Sequence, residues 1–208
     1  PPARIKLDAA LITHAHLDHT GRLPLLAQKG HRVPVFATVA TIEMTALILR
    51  DSARILAADA EHKNRRLARA GEPPVVPLYS PEDAENAIAM LRPVPYQQPV
   101  DVAPGIQAIW AEAGHMLGSA SIQLVVEEAG RRKKIVFSGD LGPKSAPILR
   151  TYEPFHDADL VFIESTYGSR DHRPFSQTVE EFVAAVKDAV GSGGKILVPT
   201  FAVGRAQL

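Results

Sequence analysis

The sequence predicts an α/β layered sandwich. Three observations predict it: strand and helix patterns mix along the chain, strands predominate in the second half, and short apolar runs of strand length end in polar, chemically able loops. Leu7 to Thr13 reads as a strand running into a His-rich loop. Gly21 to Lys29 reads as a short helix, and Pro34 to Ala37 as a short strand. From Thr41 to Ala70 the chain is rich in Ala, Leu, Ile and Arg without Gly or Pro, which predicts one long helix or two shorter ones. Pro81 to Leu91 is a further helix, with Ser80 as N-cap and Pro81 at its first position. Strands are predicted at Ile106 to Ala113, Ser121 to Glu127, Lys134 to Ser138 and Leu160 to Glu164, the last two as near-continuous apolar runs buried on both faces.

Ser176 to Val190 follows with Val179, Phe182, Val183, Val186 and Val190 on one helical face. Thr178 and Glu181 have capping-box spacing at its start, and Gly191, Gly193 and Gly194 close it. Lys195 to Val198 reads as one more buried strand, and Val203 to Leu208 as a helix cut short.

Composition limits the functional classes. The absence of cysteine excludes disulfides, thiol catalysis and Cys-ligated zinc fingers, and fits a cytoplasmic setting. No apolar run approaches the roughly 20 residues of a membrane span. The 23 Lys plus Arg balance 23 Asp plus Glu, so net charge gives no sign of a nucleic-acid binder. With Pro1 first, both ends read as cuts.

The chemistry concentrates in Thr13-His14-Ala15-His16-Leu17-Asp18-His19, directly after a predicted strand. Neutral imidazole and carboxylate suit zinc. On a turning loop His14 and His16 can face one side, while Asp18 and His19, one turn on, can serve a second ion. His115 follows Gly114 at the end of another predicted strand, with the small residues Gly118, Ser119 and Ala120 behind it. Asp140 lies in Ser138-Gly139-Asp140-Leu141-Gly142, past a third strand, and Glu164 closes a fourth. These positions share the carboxyl edge of the strands, where open α/β sheets bind ligands.

On these motifs the chain resembles the metallo-beta-lactamase superfamily, in its beta-CASP RNA-processing branch. His14 to His19 is similar to the superfamily's signature loop, and Gly114-His115 and Ser138-Gly139-Asp140 to its next two metal motifs. Glu164-Ser165-Thr166-Tyr167-Gly168 resembles the acidic motif of the beta-CASP branch, and Phe201 to Gln207 the start of the inserted beta-CASP domain.

The resemblance implies a four-layer αββα sandwich truncated at both ends, with residues 1–167 as the metallo-beta-lactamase domain and 168–208 as the start of the beta-CASP domain. It implies two zinc ions: His14, His16 and His115 on one, Asp18 and His19 on the other, and Asp140 bridging. It also implies an RNA phosphodiesterase whose nucleophile is a hydroxide shared by the zincs, with Asp18, Asp140 and Glu164 catalytic. Arg205 follows Gly204 at an expected helix N-terminus, where backbone N–H groups favour anions, and is the candidate phosphate-binding residue. Glu164 would orient a His beyond Leu208, and a further ligand is expected there too. The expected partner is RNA, with no membrane; a homodimer is allowed for. A DNA nuclease of the same branch, or a hydrolase of a small ester or thioester, are the alternatives. Arg170, His172 and Arg173 read as a solvated loop, Arg131 to Lys134 as a solvated hairpin turn, and His31, His62 and His156 as surface residues.

Overall fold

The computed structural model describes residues 6–144, 148–171 and 173–204. The chain divides into two compact units, Pro1–Ile163 and Glu164–Leu208.

In the first unit, β1 (Ala10–Leu11), β2 (Val35–Thr38) and β3 (Leu91–Val94) form a parallel sheet in that order. Between them run α1 (Leu17–Thr20), α2 (Leu23–Gln28), α3 (Val39–Ala70) and α4 (Pro81–Ile88). A second sheet contains β4 (Val100–Ala103), β5 (Ile106–Glu112), β6 (Ala120–Glu128), β7 (Arg131–Phe137) and β8 (Leu160–Phe162), in sequence order. Its pairings are antiparallel except β7 with β8.

The two-residue period of a strand explains the layers. On β2, Val35 and Ala37 join Leu23, Leu26, Leu49, Ala53, Ala84 and Ala87 in a core between the first sheet and its helices. Phe36, between them, packs with Leu11, Val94, Trp110 and Ile122 in the core between the sheets. Helix, sheet and sheet thus stack in this order. Buried Trp110 donates Nε1–H to the Ile12 carbonyl at 3.2 Å and ties the sheets together.

Several elements differ from expectation. The first strand pairs over only two residues. The stretch from Thr41 to Ala70 takes the first of its two expected forms, as part of one 32-residue helix capped by Thr38, whose hydroxyl accepts the Thr41 N–H at 3.3 Å. Ser80 caps α4 as its sequence indicates, and Asp83 completes a capping box. That helix stops at Ile88, and Leu91 starts β3 instead, a strand obscured by Pro93. Proline is tolerated there because β3 is an edge strand. β4 is likewise additional.

The basic run Arg131 to Lys134 lies on β7 rather than in a turn. The turn is Ala129-Gly130, with φ of +50° and +71°, as a two-residue hairpin loop requires. Leu160 to Phe162 is an exposed strand at the sheet edge, not one buried on both faces: among the described residues nothing buries either face.

In the second unit, α5 (Phe175–Gly191) starts before Thr178. The Thr178–Glu181 capping box does not form: Thr178 Oγ1 donates to the Pro174 carbonyl at 3.4 Å, and Glu181 pairs with Arg173 at 2.5 Å. None of α5 is buried, and 195–198 is exposed and forms no strand among the described residues. Of the expected final helix, Val203 and Gly204 lie in a turn and 205–208 fall outside the described residues.

Candidate metal centre

Three loops at strand ends build the site. The first leaves β1 and turns through the single helical turn of α1. Thr20 holds this turn by donating Oγ1–H to the carbonyls of Ala15 (3.1 Å) and His16 (3.0 Å). The fold then buries His14 and Ala15 completely and leaves Asp18 on the solvent side. Ala120 donates its N–H to the Thr13 carbonyl at 2.8 Å, which stitches this loop to β6.

The second loop joins β5 to β6 and presents His115. Ser119 Oγ accepts the N–H groups of His115 (3.0 Å) and Met116 (3.2 Å). Glu112 accepts the Gly114 N–H at 2.9 Å. Burial raises this carboxyl's pKa, partly offset by the same bond. Gly118 (φ +85°) turns its carbonyl toward α3, where Thr38 and Thr41 each donate a hydroxyl to it at 2.7 Å. Tyr96 donates its hydroxyl to the Ser119 carbonyl at 3.0 Å. Burial, then the Glu112 charge, pushes the Tyr96 phenol up to about 12, so it remains a donor.

The third loop follows β7 and presents Asp140. Gly139 (φ +58°) passes so close to Thr13 that a Cβ would lie 2.8 Å from the threonine Cβ. Gly142 donates its N–H to the Ala113 carbonyl at 2.9 Å, and a Cβ there would sit 1.6 Å from the Gly114 carbonyl oxygen. Only a residue without a side chain permits this approach, which brings the His115 and Asp140 loops into register.

The result is a compact donor set. One ligand atom each from His14, His16, His115 and Asp140 lies within 4.8 Å of all the others. His115 Nε2 and His16 Nδ1 are 3.1 Å apart. Asp140 Oδ2 stands 3.6 Å from His14 Nε2 and 3.5 Å from His115 Nε2. Its other oxygen, Oδ1, stands 3.3 Å from His19 Nε2, which is also 3.4 Å from Asp18 Oδ2. Asp140 therefore divides the cluster, one carboxylate oxygen toward His14 and His115 and the other toward His19.

These residues fit a metal. Buried His14 Nε2 has no hydrogen-bond partner among the described residues, an expensive arrangement unless its lone pair meets a cation. His14 Nδ1 lies 3.1 Å from the Thr13 hydroxyl, a contact of the kind that orients a ligating imidazole. Burial, then the neighbouring imidazoles His19, His115 and His16, lower the His14 pKa to about 2, which keeps the ring neutral. Donors about 2.0–2.1 Å from one tetrahedral zinc stand roughly 3.3 Å apart. The spacings of 3.1 to 3.6 Å match that separation.

The remaining sequence candidates belong to other segments of the chain. Glu164 opens the second unit, half-buried, and its carboxylate accepts the Thr166 N–H at 3.1 Å. Arg205 and His172 lie outside the described residues. Arg170 sits over the Tyr167 ring at 5.1 Å. Lys133 and Lys134 pair with Asp159 and Asp157, so the two lysines of that basic run are compensated. His31, expected as a surface residue, is half-buried with Nε2 inaccessible. The supporting groups Thr13, Thr38, Thr41, Tyr96, Glu112 and Ser119 were not evident as site residues. Only the small residues around Ser119 hinted at a close approach.

The family described as the beta-lactamase superfamily domain matches residues 2–200. Ribonuclease TTHA0252 of Thermus thermophilus is 39% identical over 202 residues, covering 97% of this chain and 42% of that protein. Transcription termination factor FttA of Cenarchaeum symbiosum is 37% identical over 204 residues, 97% of this chain and 29% of that protein. Endoribonuclease YSH1 of Candida glabrata is 32% identical over 203 residues, 97% of this chain and 25% of that protein. The chain spans less than half the length of these relatives.

Proposed function

The chain belongs to the beta-lactamase superfamily, and from that premise we propose that it is the metal-holding portion of a zinc-dependent ribonuclease of the beta-CASP branch. Residues 1–167 are its metallo-beta-lactamase domain and 168–208 the opening of its beta-CASP domain. The observation that carries this reading is the division of labour at Asp140, whose two oxygens face different imidazoles. His14, His16 and His115 would hold one zinc, Asp18 and His19 a second, and Asp140 would reach both. The named relatives that are ribonucleases support RNA as the substrate.

Bound zinc supplies charge neutralisation at a phosphoryl group and lowers the pKa of water from 15.7 to about 7. The protein's own residues prepare that chemistry. His14 stays neutral, so its lone pair is available without a proton leaving first. Thr13, beside Nδ1, orients the ring. Asp18 and Asp140 add negative charge that balances a dication and fixes its position. The buried loop backbone around Ala15 and Ser119 keeps the imidazoles from reorienting, so the donor set is preorganised. Glu164 would orient a proton-donating His toward the leaving oxygen, and Arg205 would bind phosphate.

The test uses the full-length protein. Two zinc per chain are expected by elemental analysis, with RNA products bearing a 5′-phosphate and a 3′-hydroxyl. Asp140→Ala should lower kcat by about a thousandfold or more, as losing a major electrostatic group does. Wild-type cleavage by Asp140→Ala with zinc retained would sink the mechanism. Matched DNA strands and a thioester assayed in parallel distinguish the substrate class.

A further inference from the structure

Helix α3 meets the core through its N-terminal portion, with Leu56 as its last residue packed there. Its buried residues are Thr41, Thr45, Leu49 and Ala53, and none follows Ala53. The helix nevertheless continues to Ala70 and is firmly ended there. Gly71 adopts φ +70°, and the N–H groups of Gly71 and Glu72 bond back to Ala68 (3.3 Å) and Leu67 (3.0 Å). Asn64 makes two hydrogen bonds with the returning chain: Nδ2 donates to the Val75 carbonyl at 2.8 Å, and Oδ1 accepts the Val75 N–H at 2.7 Å. An ordered arm therefore extends beyond the core.

Its charge is one-sided. Between His62 and Ala70 lie Lys63, Arg65, Arg66 and Arg69 with no Asp or Glu, in a chain whose charges balance as a whole. Arg65 pairs with Glu61 at 3.4 Å. Lys63, Arg66 and Arg69 are exposed and have no ion-pair partner among the described residues. Their i, i+3 spacing makes them neighbours along one flank. Favourable interaction with the helix dipole fades beyond the last turn, so it accounts for Arg69 but not Lys63. The first turn of α3 touches the metal-site loop through Thr41 and Gly118. At 1.5 Å per residue, Lys63 and Arg69 lie about 33 and about 42 Å along the axis from Thr41.

We propose that the Lys63–Arg66–Arg69 flank is a remote docking site for the phosphates of an RNA substrate, gripping long strands far from the scissile bond. This rests on the ribonuclease reading above and extends it to a preference for length. A polyanion is the occupant that three uncompensated cations on a polar arm select.

The test compares full-length wild type with K63E/R66E/R69E on oligouridylates of about 30 and about 6 nucleotides, lengths above and within the usual span of one binding groove. Circular dichroism melts confirm that the exposed substitutions leave the fold intact. Affinity for the long strand, measured by fluorescence anisotropy, should fall about tenfold or more at low salt. Its salt slope should drop by about 2, three contacts at roughly 0.7 each. The ratio of long- to short-strand kcat/KM should fall by a similar factor, and K63R/R66K/R69K should restore it. Unchanged long-strand affinity and slope, or equal losses on both lengths, overturn the proposal. If wild type cleaves neither strand with zinc present, the ribonuclease reading fails, while the anisotropy result still decides the docking site.

Discussion

The loops around the metal centre and the segment from Glu164 onward use similar sequence signals with opposite outcomes. Both have strand-length apolar runs, glycines at turns and a chemically able side chain at a strand end. Around Asp140 these features are locked by contacts between distant stretches of the chain: Gly142 against Gly114, Gly139 against Thr13, Gly118 under Thr38 and Thr41. After Glu164 no residue on the amphipathic face of α5 is fully buried. The contrast teaches that an apolar or glycine pattern states a demand for close contact, whereas the partner that meets it comes from elsewhere in the chain.

The largest way to break that contrast is at Gly142. Gly142→Ala would place a methyl 1.6 Å from the Gly114 carbonyl oxygen, backbone that cannot yield as a side-chain tip would. Separating the loops should destabilise the fold by about 3 kcal/mol or more. It should also weaken metal binding by about a hundredfold, as a displaced supporting contact does. Urea unfolding and a competitive zinc chelator read the two effects separately. A variant with unchanged stability and affinity would show that the approach is not required.

A milder disturbance comes from acid. His14 has its pKa lowered from 6.5 to about 2 in the fold, so the unfolded chain binds the extra proton. Its contribution to stability is complete above pH 6.5 and is lost as the pH falls from there toward 2. In metal-free protein the slope attributable to this one group approaches about 1.4 kcal/mol per pH unit between those limits. Denaturant melts in a chelating buffer from pH 7 to pH 5 should show the decline, and His14→Asn should flatten it. Equal slopes in the two proteins would assign the acid sensitivity to other groups.

Much of the site was legible because its chemistry is local. His14, His16, Asp18 and His19 occupy one short loop, and Gly114-His115 and Gly139-Asp140 each signal a turn beside a polar group. The supports were not legible, because Thr38 and Thr41 reach Gly118 across nearly eighty residues and a threonine in a helix start resembles any other cap. Ser80 was recognisable for that same local reason. β3 was hidden by Pro93, since edge position, which excuses proline, is a property of the sheet. The runs at 160–163 and 195–198 have the composition of buried strands yet are exposed, because apolar composition encodes a preference for burial without stating where the covering surface lies.

The smallest effect sharpens the comparison from the other side. Phe182, on the apolar face of α5, is 58% exposed, and α5 has no buried residue. Phe182→Ser should therefore change the stability of this 208-residue chain by less than about 0.5 kcal/mol, the usual range for an uncovered position. A core phenylalanine truncated to alanine costs about 3–5 kcal/mol. A loss of that size in the same melt would mean that the face is covered in solution, and that the two regions differ less than their contacts indicate. The same substitution in the full-length protein asks whether additional chain meets the demand that the Val179, Phe182 and Val183 pattern encodes, because only a covered face makes the serine costly.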